Sequence, residues 1–248
     1  MARTRVYRDV KIYSGGYDLS GTSNQLEIAY EFDKVEVKHF GQACHYSVKG
    51  LPRLTWHFEG NAYSNAIPAG SEDVLFSQLG AANIPMTWCP VDGTQGDVAY
   101  FAKTMQSSYQ AGGAVGEMYA FTVEGEGENA PLVRGRVLDT GSRIASGTST
   151  PLQLGAVTAD QQFYACLHVL AIGGTSPTMT CSIQSDDAQT FASPATRATF
   201  SAVTGAIGIG AQYLVPVAGP ITDTWWRASY TITGTNPTFT IVLVAGIQ

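Results

Sequence analysis

The sequence predicts an all-β protein with one short helix. Three observations predict it. Apolar and polar residues alternate in many short windows, which is the period of a half-buried strand. Glycine reaches 27 of 248 residues while charged residues make up only 14%, a composition of strands and turns. Only one window has helical periodicity. A chain of this length suits one large β domain or two of roughly 100–150 residues each, and it buries enough surface to fold without staples.

From the N-terminus, MARTRVYRDVKIYSGG carries Arg3, Arg5 and Arg8 with no apolar run behind them, so no signal peptide is expected. In Asn24–Phe32, Leu26, Ile28, Tyr30 and Phe32 alternate with Gln25, Glu27, Ala29 and Glu31, which predicts a strand. KVEVKHF continues it. Leu54, Trp56 and Phe58 then alternate with Thr55, His57 and Glu59 in a second strand. Between the two, GQACHYSVKGLP has no two-residue hairpin turn and is expected to be an excursion.

Gly70–Gly80 is the expected helix. Ser71 is placed to cap it, Glu72 and Asp73 suit its positive end, Val74, Leu75 and Leu79 form a stripe, and Gly80 can close it. Strands follow in IPMTWCPV, VAYFAKTMQSSYQ, GEMYAFTVEGEGE and LVRGRVLDTG. The acidic run Glu124, Glu126 and Glu128, interleaved with glycine, is expected at a hairpin tip. Residues 143–156 are rich in turn formers and are expected to link a first domain, 1–142, to a second, 157–248. Beyond them charge nearly vanishes, and about six short strands at regular spacing predict a β-sandwich.

Charge limits the functions available. The net charge is −6, and eight of the fourteen Lys and Arg lie before position 54. Phosphate contacts need clustered cations, so tight nucleic-acid binding is not expected. The longest apolar run, TFTIVLVAGI, is too short to span a bilayer, so no membrane partner is expected. Cys44, Cys89, Cys166 and Cys181 lack metal-knuckle spacing and are expected as apolar thiols in a reducing cytosol, although three pairings remain open.

Chemistry-bearing constellations are sparse. His39, Cys44, His45 and His57 are close in sequence, but neighbours in a strand face opposite ways, and no metal is expected. Asp186, Asp187 and Asp223 could do acid–base work in a hydrolase, but turn capping is the plainer reading. GIGAQY lacks a third glycine and GTSTP is no nucleophile elbow, so neither a cofactor nor an enzyme is expected. Trp225 and Trp226 precede Arg227; in a strand one ring faces in and the other out, where it could contact a sugar or a neighbouring chain. That supports an alternative, a capsid or tail decoration protein whose sandwich holds host-surface glycans.

Residues 15–63, beginning GGYDLSGTSNQLEIAYEFDKVEVKHFG, resemble the major tail tube proteins of long-tailed bacteriophages: a small-residue turn, a strand, a short charged stretch, then Phe-Gly. EDVLFSQLG, GDVAYF and PLVRGRVLDTG are similar to the same family. The second half, ending PITDTWWRASYTITG and FTIVLVAGI, resembles the immunoglobulin-like domain that some such subunits carry outside.

The resemblance implies a tail-tube-like β-barrel or sandwich followed by an immunoglobulin-like β-sandwich. It implies a virion tail subunit that assembles in the host cytoplasm into stacked hexameric rings with other tail proteins, around a lumen that DNA traverses. An inter-ring ribbon would run from Asp33 to Arg53, with Lys34, Lys38, His39, His45, Lys49 and Arg53 gripping a neighbour. Its cations are expected to pair with Glu124, Glu126 and Glu128 of the next ring, and the arm with Arg3, Arg5 and Arg8 to extend onto another copy.

Overall fold

The computed structural model describes residues 9–37, 46–60 and 70–248. They are nearly all β, with one short helix. In chain order come β1 (Lys11–Ser14), β2 (Tyr17–Asp18), β3 (Ser23–Val37), β4 (Tyr46–Gly60), α1 (Ser71–Ser77), β5 (Ile84–Cys89), β6 (Val98–Gly112), β7 (Ala120–Gly127) and β8 (Val133–Arg143). Then follow β9 (Gly147–Thr148), β10 (Leu152–Gln153), β11 (Gln162–Asp186), β12 (Ala195–Thr199), β13 (Val203–Thr204), β14 (Gly210–Tyr213), β15 (Val217–Ala218) and β16 (Trp225–Ile247). Two compact units form, one from residues 9–21, 84–102 and 133–248, the other from 22–60, 70–83 and 103–132. The segment expected as a link, 143–156, holds β9 and β10, and both pair with β16.

The first unit is organised by one long ladder. β11 and β16 pair antiparallel from Phe163↔Ile247 to Asp186↔Trp225. The sequence reading divided this stretch into separate short strands at GGTSP and GTNP; the structure runs straight through both. Register shifts between Val169 and Thr178 absorb the irregularity. Gly174 and Gly234 sit there at φ +100° and +122°, and a Cβ at Gly174 would lie 2.4 Å from the Asn236 carbonyl oxygen. These glycines therefore bend a continuous ribbon instead of ending it.

Beyond the bend the ladder changes neighbours. β14 lies beside Cys166–Val169 and β8 beside Phe239–Ala245, whereas β12 lies beside Ser182–Ser185 and β10 beside Trp225 and Trp226. The two halves share one core, in which Phe163, Leu167 and Leu243 of one half meet Met179, Ile183 and Trp226 of the other. Trp226 stacks on Phe163 with ring centroids 4.2 Å apart and gives its indole N–H to the Gly155 carbonyl. A second cluster joins Phe101, Val133, Cys166 and Val244.

Asp139 and His168 are among the polar residues buried in this unit. Asp139 accepts from the Tyr230 hydroxyl at 2.6 Å and from Arg143 Nε at 3.0 Å, which compensates its charge. His168 is fully buried, with Nε2 2.9 Å from Thr87 Oγ1 and 3.4 Å from Cys166 Sγ, and its ring lies beside Tyr13. Burial pushes its pKa down to about 3. Cys89, Cys166 and Cys181 are buried thiols; burial pushes Cys89 and Cys166 up to about 12.

The second unit is a four-stranded antiparallel sheet in the order β3-β4-β7-β6, using Lys103–Gly112 of β6. Leu54, Trp56, Phe58, Phe121 and Val123 form its buried face, as alternation predicts. α1 starts one residue earlier than the expected cap allows: Gly70, extended at φ −66° and ψ 152°, is the N-cap, so Ser71 is the first helical residue and not the cap. Val74 and Leu75 face inward, while Leu79 lies beyond the helix end and is half-exposed. Gln106 Nε2 donates to the Leu75 carbonyl and holds α1 to β6.

Folding transfers His168 from water into a site that favours its neutral form. Between the unfolded pKa of about 6.5 and the folded value near 3, the unfolded chain binds the extra proton, so stability is full above that window and falls as pH drops through it. Urea unfolding from pH 6 to 4 should show a contribution of ~1.4 kcal/mol per pH unit that His168→Gln removes. An unchanged pH slope in that variant would contradict this assignment.

Candidate functional site

The most distinctive geometry is the β3–β4 ribbon. The two strands stay paired from Ser23↔Gly60 out to Val37↔Tyr46. β7, the third strand, accompanies β4 only from Gly60 to Thr55. From Leu54 outward, β3 and β4 pair with no third strand among the described residues. Half of the expected excursion, Tyr46–Pro52, is therefore paired strand, and a two-stranded ribbon replaces the loop.

Local sequence explains how the ribbon holds together. The register slips between Phe32 and Lys34, where Gly50 and Leu51 face Asp33. A Cβ on Gly50 would sit 2.8 Å from the Asp33 carbonyl oxygen, so glycine permits the close crossing. Pro52, which cannot donate to a ladder, sits where β4 has a single neighbour. Lys49 Nζ lies 3.6 Å above the Phe32 ring, a cation–π contact that partly covers it. Even so, Phe32 is 40% exposed and Leu51 81% exposed.

The open face of the second unit's sheet is acidic. Glu27, Glu31, Glu59, Glu124 and Glu126 share it with Arg53 and His57, as the cross-strand pairs Glu27↔His57, Glu31↔Arg53, His57↔Glu124 and Thr55↔Glu126 require. His57 lies 3.1 Å from Glu59 and 3.4 Å from Glu124, and Arg53 donates to Glu126 at 2.5 Å. A hollow of about 430 Å³ is lined by Glu27, Arg53, His57, Glu124 and Glu126. Arg53 thus engages, inside its own chain, a carboxylate that the sequence reading assigned to a neighbouring ring.

The acidic run is not a hairpin tip. Glu124–Gly127 is the inner strand β7, with β4 on one side and β6 on the other. Gly125 and Gly127 lie on its buried side, where a Cβ would come within 2.2 Å of the Trp56 ring and 2.8 Å of Leu54 Cβ. The glycines make room for large core side chains, and this is why they resembled turn residues in sequence. Glu128 follows the strand and accepts from the Asn83 N–H at 2.5 Å.

The other expected residues separate. Lys34 and Lys49 lie exposed on the ribbon. Lys38, His39, His45, Arg3, Arg5 and Arg8 lie outside the described residues, as does Cys44. Trp226 is fully buried and is not a surface contact; Trp225 is half-buried. Arg227 is spent on the Phe191 ring, at 4.2 Å, and on Gln184. Asp186 accepts from the Ala188 and Ser193 N–H groups at 3.0 Å, and the first of these holds it below the usual carboxylate range. Asp223 accepts from Ser185 and Arg197. Among the described residues no group of His, Cys, Asp or Glu is placed to hold a metal ion, and no helix is long and apolar enough to cross a membrane.

No family model matches the chain, and no curated protein matches it. Among solved structures it is similar to the Dit protein of phage SPP1, described as a paradigm of the hub adsorption apparatus in phages infecting Gram-positive bacteria. That match has 10% identity and a TM-score of 0.40 over 97% of this chain and 100% of that one. It is also similar to a chain of the PVC sheath–tube complex, an extracellular contractile injection system, with 8% identity and a TM-score of 0.41 over 52% of this chain and 90% of that one. A third is a chain from the tail of an empty gene transfer agent particle, with 13% identity and a TM-score of 0.38 over 51% and 96%. At these values the functional reading rests on the chain's own residues.

Because Gly125 faces Trp56 and the Met105 carbonyl, Gly125→Ala should destabilise the protein by ~1–3 kcal/mol in urea unfolding. A neutral result would show that β7 does not pass this close over Trp56.

Proposed function

We propose that this chain is a structural subunit of a phage tail that polymerises as stacked rings, in the manner of a tail tube protein. The observation that carries the reading is the unsupported ribbon. An isolated two-stranded hairpin is marginally stable in water, and this one also exposes Leu51 and part of Phe32. A second copy of the chain would supply the missing contacts.

The sheet suits a ring. Its order β3-β4-β7-β6 contains an even number of antiparallel strands, so β6 of one copy would run antiparallel to β3 of the next. Edge pairing of this kind is a hazard in a monomer and an assembly device in a ring. Six copies per ring is the number that the family resemblance implies. The acidic face would line the lumen, where five carboxylates against one arginine would repel phosphates and let DNA slide. Residues 1–142 would hold the polymerising domain, 143–156 the link, and 157–248 an immunoglobulin-like sandwich on the outside. With Trp226 buried, the half-buried Trp225 is the ring that the glycan-binding alternative would use.

Asp33 and Gly50 face each other across the ribbon, so residues 34–49 can be replaced by an Asn-Gly turn. In negative stain the purified wild-type chain should form rings or short tubes. The shortened variant should keep the wild-type unfolding midpoint and form single rings at most, with no stacks or tubes. A monodisperse wild-type monomer, or tubes from the shortened variant, would overturn the proposal.

A further inference from the structure

We infer that the ribbon of one copy is received by the opposite end of the same sheet in the next copy, at the β6–β7 turn, residues 113–119. The inference rests on the stacking reading above and names the surface that stacking would use.

Register places the two features at opposite ends. Gly112 pairs with Ala120 at the base of the turn, and Phe121 pairs with Gly60, so the turn lies at the Gly60 end of β4. The ribbon leaves from the other end, past Leu54. A copy placed head-to-tail therefore points its ribbon at the neighbour's turn. Residues 46–54 reach ~30 Å at the usual strand rise, further than the ~20 Å of β4 that β7 holds.

The turn is built unlike a solvated loop. Val115 is fully exposed, Met118 is 68% exposed and Tyr119 43% exposed, three apolar side chains within five residues. Gly116, at φ +96°, sets the bend between them. An apolar tip of this kind marks a contact surface, and Leu51 and Phe32 present the matching apolar surface on the ribbon.

Charge selects this partner over the alternatives. The turn 113–119 carries Glu117 and no Lys or Arg, whereas the sequence 34–49 carries Lys34, Lys38 and Lys49 against Glu36, three positive charges against one negative. Ribbon against ribbon would bring like charges together in a closed two-fold pair. Ribbon against turn sets opposite charges together and propagates indefinitely.

The test is a disulfide bridge in the full-length chain, with Cys44→Ser as background. Leu51→Cys and Met118→Cys are introduced together. Nine residues of β4, ~30 Å of strand, separate Leu51 from the Gly60 end, far beyond the ~7 Å Cα separation a disulfide tolerates, so any bridge joins two copies. Mild oxidation of assembled protein should give a ladder of multimers on non-reducing gels from the double variant and no ladder from either single one. Val115→Asp with Met118→Asp should leave single rings and reduce stacks at least tenfold. Wild-type-like stacks in that variant, or assembled tubes without a ladder, would overturn the receiving site and leave the ring reading standing. Dimers from Leu51→Cys alone, as abundant as the ladder, would assign ribbon-to-ribbon contact instead. A wild-type chain that forms no rings would sink both.

Discussion

The structure turns on the point where β7 stops accompanying β4, at Thr55. Up to that residue, each strand of the second unit is held by neighbours and by a buried face containing Trp56 and Phe58. Past it, the backbone of β4 keeps one strand partner, and after the buried Leu54 the described apolar side chains Phe32 and Leu51 are exposed. A ribbon in that state gains little from folding alone, since ordering each residue costs about 1–2 kcal/mol of backbone entropy. Its apolar residues at positions 32 and 51 make sense when another surface covers them.

The rest of the molecule supplies rigidity. The β11–β16 ladder runs unbroken through two glycine bends and serves two separate clusters of core side chains. Its buried polar groups are compensated or kept neutral: Asp139 by Arg143 and Tyr230, His168 by exclusion of its charge. The candidate carboxylates Asp186 and Asp223 are bound to backbone N–H groups, Ser185 and Arg197, which is structural work. These contacts are the turn capping and ion pairing that the plainer sequence reading of these carboxylates expects.

Much of this was legible in sequence because alternation is a direct record of burial. Leu54, Trp56 and Phe58 predicted their buried face, and the structure buries all three. Glycine misled wherever it served packing. Gly125 and Gly127 suggested a turn and instead lie under Trp56 and Leu54; Gly174 and Gly234 suggested strand ends and instead bend a continuous pair. Intrinsic preference cannot separate a glycine needed for dihedral freedom from one needed for lack of bulk. The ribbon's location was readable from its charge, but its paired character was not, because the pairing of Tyr46–Lys49 with Lys34–Val37 follows from a bulge at Gly50. The apolar turn at Val115 carries no periodic signal, and only its exposure reveals it.

The account depends most directly on the claim that a neighbouring copy, and not the chain's own body, supports the ribbon. Amide hydrogen exchange read by mass spectrometry, comparing dilute subunit with assembled protein, measures this. The account predicts that residues 46–54 exchange rapidly in the dilute subunit and become protected on assembly, while residues 55–60 are protected in both. Equal protection of the two segments in the dilute subunit would contradict it.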